Sequence, residues 1–221
     1  MAEHLMHPFP RYSADELRAD AVVHVVGVTA SLAAATALVA IAASHGQALP
    51  IISLVVYGVG LVAVFALSAG YNLARRPGWK EALRRFDHAA IFVMIAGTYT
   101  PFAMVAIGGA WGLALLSVVW SVAVAGIALK LLLPRRLERT AIALYLAQGW
   151  TILAAVGPLI EAVSTPVMIL LAVGGGLYTL GVVFHLSRRL PYHNAIWHGL
   201  VLTAAGCHYV AVLDAVALPP S

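Results

Sequence analysis

The chain has 221 residues, 62% of them hydrophobic and only 10% charged, with 13 Lys and Arg against 9 Asp and Glu for a net charge of +4. Such a composition lies outside the range of soluble globular proteins. No soluble basic domain carries the positive excess, which argues against nucleic acid as a partner. The single cysteine, Cys207, rules out an intrachain disulfide and argues against a thiolate metal cluster.

In chain order, a polar leader comes first, with Pro8, Pro10 and then Ser13-Ala14-Asp15-Glu16, a sequence that opens a helix. The first apolar run is too long for the core of a signal peptide, so no cleavable signal is expected. Seven apolar segments follow: Ala21–Ala43, Ile51–Ala74, Ala89–Ile107, Trp111–Leu133, Ala141–Ile160, Val167–Leu186 and Ala195–Leu213. Each approaches the ~20 residues that cross a hydrocarbon core, and continuous runs of this kind satisfy their backbone in lipid only as helices. Within the third, Pro101 follows Gly97-Thr98-Tyr99-Thr100. This predicts a kink, with threonine hydroxyls taking up freed carbonyls. Gly174-Gly175-Gly176 in the sixth predicts close helix packing. The expected fold is an all-α bundle of seven transmembrane helices, with a polar cytoplasmic leader over 1–20 and one membrane domain over 21–221.

Charge sets the expected orientation. Arg11 and Arg18 precede the first segment, and Arg75, Arg76, Lys80, Arg84 and Arg85 lie between the second and third. Lys130, at the end of the fourth, and Arg135, Arg136 and Arg139 belong to the gap between the fourth and fifth, and Arg188 and Arg189 lie between the sixth and seventh. The alternate connections Ser44–Pro50, Gly108–Gly112 and Glu161–Pro166 contain no Lys or Arg. Positive charge is retained on the cytoplasmic side. The N-terminus is therefore expected inside, the C-terminus outside, and the protein in a cytoplasmic membrane.

Ionisable groups in membrane spans are costly and usually face the bundle interior, which makes them functional candidates. Here they gather at the ends expected to be cytoplasmic. Asp20 and His24 open the first segment, Ser68 and Asn72 close the second, and Asp87 and His88 open the third. His185 closes the sixth, and His193, Asn194 and His198 open the seventh. Glu16, Asp20 and His24 recur at i, i+4 and share a face, as do Ser68 with Asn72 and Asn194 with His198. His193 and His198, five apart, are about 140° apart around a helix and pair poorly. His208 lies roughly 15 Å deeper than His198, where it could line the same cavity. One polar pocket opening to the cytoplasm is expected, with Asp20, His24, His193 and His208 among its lining residues.

Arg84-Arg85-Phe86-Asp87-His88-Ala89-Ala90-Ile91-Phe92, followed by Gly97-Thr98-Tyr99-Thr100-Pro101-Phe102, resembles the signature of the hemolysin III family, the bacterial branch of the progestin and adipoQ receptors. Glu16, Ala19, Asp20, His24 and Gly27 resemble its first-span pattern, and Ala195-Ile196-Trp197-His198 with His208-Tyr209 its last. The resemblance implies a zinc ion near the cytoplasmic side, held by a histidine closing a Ser-x-x-x-His motif in the second span and by a His-x-x-x-His pair in the last. The matching metal positions are Asn72, Asn194 and His198, with Ser68 and Asp87 as the implied catalytic pair. Two of three imidazoles are thus replaced by asparagine, whose amide oxygen is a weak donor to zinc. A substitute set would draw on His24, Asp87, His198 and His208, and His193 is a less natural replacement for Asn194.

Three readings follow. With the implied metal site eroded, the expected function is non-enzymatic: sensing or maintaining lipid state by binding a membrane lipid or fatty acid in the polar pocket. The alternatives are a zinc-dependent lipid amide hydrolase of ceramidase type, with Asp87 as base, and the pore-forming cytolysin that gives the family its name. No amphipathic insertion segment supports the last.

Overall fold

The computed structural model describes residues 12–74, 76–132, 137–187 and 189–218, and within them every regular element is helical. Arg11, Arg75, Arg135, Arg136 and Arg188 lie outside the described residues, as does the leader up to residue 11. The α-helices are α1 (Ala14–His45), α2 (Ala48–Leu73), α3 (Pro77–Pro101), α4 (Gly109–Leu132), α5 (Glu138–Gly149), α6 (Val156–Ala162), α7 (Thr165–Leu186) and α8 (His193–Val212). They make seven stretches long and apolar enough to cross a membrane, with α5 and α6 sharing the fifth.

Local chemistry sets the ends. Ser13 Oγ accepts from the Glu16 amide while the Glu16 carboxylate accepts from the Ser13 amide, a reciprocal cap that starts α1 at Ala14. The expected boundary at residue 20 therefore falls inside a continuous helix. Gly46, at φ 67°, ends α1 in the left-handed conformation that glycine adopts without strain. α3 opens on Pro77, where a missing amide hydrogen costs nothing.

The third span is the most buried and sits at the centre of the bundle. It packs closely on α2 through glycine. A side chain at Gly60 would press on the Val93 carbonyl, and one at Gly97 on the Val56 carbonyl. Small residues let membrane helices approach until their backbones touch. Within the run Gly174-Gly175-Gly176 of the sixth span only Gly174 meets α8, where His208 fills the space a side chain would need; Gly175 faces Trp150, Gly176 faces open space, and further along the span Gly181 meets Trp197 of α8.

Pro101 is followed by a π-helical stretch, Phe102–Ile107. The threonines act differently from the expectation. Proline lacks the amide hydrogen that would bond the Gly97 carbonyl, yet Thr98 and Thr100 donate to the carbonyls of Met94 and Ala96. Thr100 also accepts from Trp120 Nε1 on α4 at 3.2 Å.

The fifth span departs from the expected continuous Ala141–Ile160 helix. α5 stops at Gly149, a 3-10 turn covers Thr151–Ala155, and α6 resumes at Val156. Gly149, Gly157 and Pro158 weaken the helix there. Tyr99 of α3 repairs the break, because its hydroxyl donates to the Gly149 carbonyl at 2.7 Å and accepts from the Ile152 amide at 2.9 Å. Broken backbone at membrane depth survives only where protein satisfies it.

Candidate functional site

The start of α1, the end of α2 and the starts of α3 and α8 bring their polar residues together. Asp20 and His24 succeed one another on the inward face of α1 and are almost wholly buried. From α8, His198 Nδ1 pairs with Asp20 Oδ1 at 2.6 Å, and the His198 ring lies 4.4 Å, centroid to centroid, from that of His24. Asn194, one turn earlier on α8, donates from Nδ2 to Asp20 Oδ2 at 3.1 Å and to Asn72 Oδ1 at 3.4 Å. Asn72 on α2 donates from Nδ2 to the Ser68 carbonyl at 3.0 Å, with the Ser68 hydroxyl at 3.4 Å. From α3, the buried Asp87 carboxyl reaches the Ser68 hydroxyl and faces His24. Four helices distant in sequence thus share one polar array.

Asp20 is its hub. One carboxylate oxygen takes His198; the other takes Asn194 and lies 3.3 Å from His24 Nε2. His24 Nε2 is a buried nitrogen that meets Asp20 only as this 3.3 Å ion-pair contact and has no hydrogen-bond partner. Asp20, His24 and His198 place one potential ligand atom each within 4.8 Å of one another. Two imidazoles and a carboxylate are a donor set that zinc accepts, and an imidazole nitrogen left without a proton partner is what a metal ligand requires. The residues present fit a metal ion.

Ser68, Asn72, Asp87, Asn194 and His198 therefore meet, together with Asp20 and His24. His208 does not join them. Its ring fills the space beside Gly174, within 3.3 Å of the Leu171 carbonyl and edge-on to Tyr178, because Gly174 leaves a gap on α7 that a large ring fills. His193 is buried beside Tyr12, and its Nδ1 has no hydrogen-bond partner. The substitute ligand set drawn from the sequence omitted Asp20, although its i, i+4 spacing to His24 was the signal that could have found it.

Sequence reasoning also missed a second polar group at the same end. Lys130 of α4, 1% exposed, pairs with Glu138 of α5 at 2.7 Å; Glu138 also holds Arg84 of α3 at 2.9 Å, and Arg84 reaches Glu81 at 3.3 Å. Tyr145 of α5 donates to the His88 carbonyl at 2.8 Å. At the opposite end, a hollow of about 630 Å³ is lined by Gly108, Trp111, Pro158 and Glu161 among others.

Comparisons with known proteins agree in kind. The family described as Haemolysin-III related matches residues 16–209. A hemolysin-3 homolog of Bacillus subtilis (strain 168) is 36% identical over 195 residues, 88% of this chain and 92% of the relative. Hemolysin-3 of Bacillus cereus is 34% identical over 195 residues, 88% and 89% of the two chains. The monocyte to macrophage differentiation factor of Homo sapiens is 30% identical over 169 residues, 71% and 67% of the two chains.

Proposed function

The chain belongs to the haemolysin-III-related family of integral membrane proteins, and from that premise we propose that it senses or maintains lipid state by binding a lipid headgroup at the Asp20–His198 array. The observation that carries this reading is the array itself: five polar side chains from three helices, joined by hydrogen bonds, with His24 and Asp87 beside them. Polar groups at membrane depth are expensive, and a bundle that only needed to fold would be served by apolar packing there.

Orientation supports access from the cytoplasm. The basic residues nearest the array, Arg18, Arg76, Lys80 and Arg84, belong to connections that carry all the positive charge, so the N-terminus is inside and the C-terminus outside. A reporter active only in the cytoplasm, fused after Ser221, gives no signal on this reading; a bright fusion overturns it. The bacterial relatives support a place in a bacterial cytoplasmic membrane.

The array also selects a headgroup. Asp20 and Asp87 are carboxyl groups that accept hydrogen bonds from donors. A neutral headgroup bearing hydroxyl or amide donors suits them better than a free carboxylate, which like charges repel. Zinc is the ion the family resemblance implies. Held at this site, it would supply a Lewis acid that polarises a headgroup oxygen.

The test uses purified protein in nanodiscs with a chelator present. Monoolein is expected to bind saturably and palmitate at least ten-fold more weakly, with monoolein binding reduced ten-fold or more in Asp20→Asn and His198→Gln. Absence of saturable monoolein binding, or binding indifferent to both substitutions, overturns the proposal. If the protein instead releases fatty acid from ceramide, and Asp87→Asn abolishes the release, the hydrolase reading replaces it.

A further inference from the structure

The two asparagines of the array have a fixed orientation, and that orientation decides which residues can hold a metal ion. At one end of the chain of hydrogen bonds stands the Ser68 backbone carbonyl, which only accepts; Asn72 must present Nδ2 to it. That leaves Asn72 Oδ1 toward α8, where it accepts from Asn194 Nδ2. At the other end stands the Asp20 carboxylate, which as an ion also only accepts, so Asn194 must present Nδ2 there as well. The two fixed acceptors agree on one assignment of both amides. Asn194 therefore turns its donors toward Asp20 and Asn72, and an amide NH2 group cannot ligate a cation.

What remains around that point is Asp20, His24 and His198. Their ligand atoms lie within 4.8 Å of one another, against the ~3.3 Å that separates two ligand atoms around a tetrahedral zinc ion at about 2.0–2.1 Å from each. Asp20 and His24 stand one turn apart on a single capped helix, and His198 faces them from α8. Of the distances from Asp20 to the two rings, the 3.3 Å to His24 matches the spacing required and the 2.6 Å to His198 is shorter than it. His24 Nε2, buried and without a hydrogen-bond partner, supplies the independent sign that a partner is due there.

We propose that Asp20, His24 and His198 form a site for one divalent transition-metal ion, zinc foremost, in which Asn194 and Asn72 are positioning residues that hold the Asp20 carboxylate rather than ligands. Hydrogen bonds to a ligating carboxylate fix its orientation, and losing them commonly weakens metal binding 10- to 100-fold without removing the site. Three protein ligands leave an open position, the arrangement of zinc sites that engage an exogenous molecule. Chemistry at that open position deepens the headgroup reading, but the ligand assignment stands or falls without it.

The experiment is a cobalt titration of the full chain, purified without a histidine tag and stripped with chelator. Wild type is expected to take up one cobalt ion per chain with visible d–d absorption and to give it up to zinc. His24→Gln and Asp20→Asn should each lower affinity at least 100-fold. Asn194→Ala should keep the stoichiometry and lose 10- to 100-fold in affinity. His208→Gln, which alters a histidine outside the group, should bind as wild type does. Thermal unfolding with chelator present confirms that each variant is folded before the titration is read. No cobalt uptake by wild type overturns the site, and so does binding that survives His24→Gln but vanishes in Asn194→Ala. Because monoolein binding is measured with chelator present, failure of either proposal is distinguishable from failure of the other.

Discussion

Two polar groups lie at the same end of this bundle, and they are built on opposite principles. In the group joining α3, α4 and α5, the cations Lys130 and Arg84 meet the carboxylates Glu138 and Glu81, so opposite charges answer one another directly. In the group joining α1, α2 and α8, one carboxylate serves two imidazoles and an amide, and an imidazole nitrogen is left without a hydrogen bond. The first arrangement is complete without a ligand. The second leaves His24 Nε2, 3.3 Å from Asp20, without a hydrogen bond. A buried ion pair with both members answered is a cross-link between helices, whereas a buried group with an unanswered donor set marks a place where something else binds.

The largest effect that would sharpen this contrast comes from restoring imidazoles at the two asparagine positions. In the native background, His24→Gln should cost at least 100-fold in metal affinity, about 2.7 kcal/mol. In the background of Asn72→His with Asn194→His, three imidazoles from α2 and α8 are available, since Asn194 and His198 already share a face. There, the same His24→Gln change should cost less than ten-fold. Cobalt titration of the four proteins checks it. Equal losses in both backgrounds would mean that His24 supports the fold of the site rather than ligating.

Next in size is the answered pair. Lys130→Ala strips a cation from a fully buried position and leaves Glu138 with Arg84 and, at 3.7 Å, His88. Because Glu138 is 42% exposed at its side chain, the cost should fall below that of a wholly buried pair, on the order of 2 kcal/mol. The loss appears in thermal unfolding and is the same with and without zinc. Metal affinity should stay within two-fold of wild type. A variant that loses zinc binding along with stability would show that the two groups are one unit.

A smaller effect is expected at the break in the fifth span. Tyr99→Phe removes the hydroxyl that serves both the Gly149 carbonyl and the Ile152 amide, leaving two backbone groups short of partners in a dry environment. A loss of about 1–2 kcal/mol in unfolding is expected, with neither of the two polar groups disturbed. Hydrogen exchange at Ile152 should rise more than at α3 amides.

The seven spans were legible because hydropathy and helix length are summed over many residues, and no single side chain decides them. The break at Gly149 was not, since the fifth segment reads as one apolar run and only Tyr99, 50 residues earlier, makes the interruption tolerable. Part of the site was legible too: Asp20 with His24, Ser68 with Asn72 and Asn194 with His198 are each one helical turn apart. Spacing says which residues share a face, not which faces meet. That α1 lies against α8, placing Asp20 on His198, depends on packing across 178 positions of sequence. His208 shares the apolar context of His198, but the gap at Gly174 draws it to α7 instead. Lys130 was read only with the basic residues between the fourth and fifth spans, because it stands near the end of its own span and the sequence does not show that Glu138 folds over it.

The smallest effect separates the array's structure from the chemistry implied by the family resemblance. Asn72 donates to the Ser68 carbonyl at 3.0 Å, and the Ser68 hydroxyl is the more distant of its two acceptors at 3.4 Å. Ser68→Ala removes the hydroxyl and leaves the carbonyl, so the relay from Asn72 through Asn194 to Asp20 should survive. Asp87 loses one hydrogen-bond partner from its immediate surroundings. Cobalt affinity should therefore change less than about three-fold and stability by no more than ~1 kcal/mol. Removing the carboxylate hub with Asp20→Asn should instead cost at least 100-fold in the same titration. A Ser68→Ala variant that binds cobalt as wild type does, yet loses a lipid-hydrolysing activity, would place the hydroxyl in catalysis. One that loses cobalt would mean that the orientation of Asn72 is set by the hydroxyl and not by the backbone.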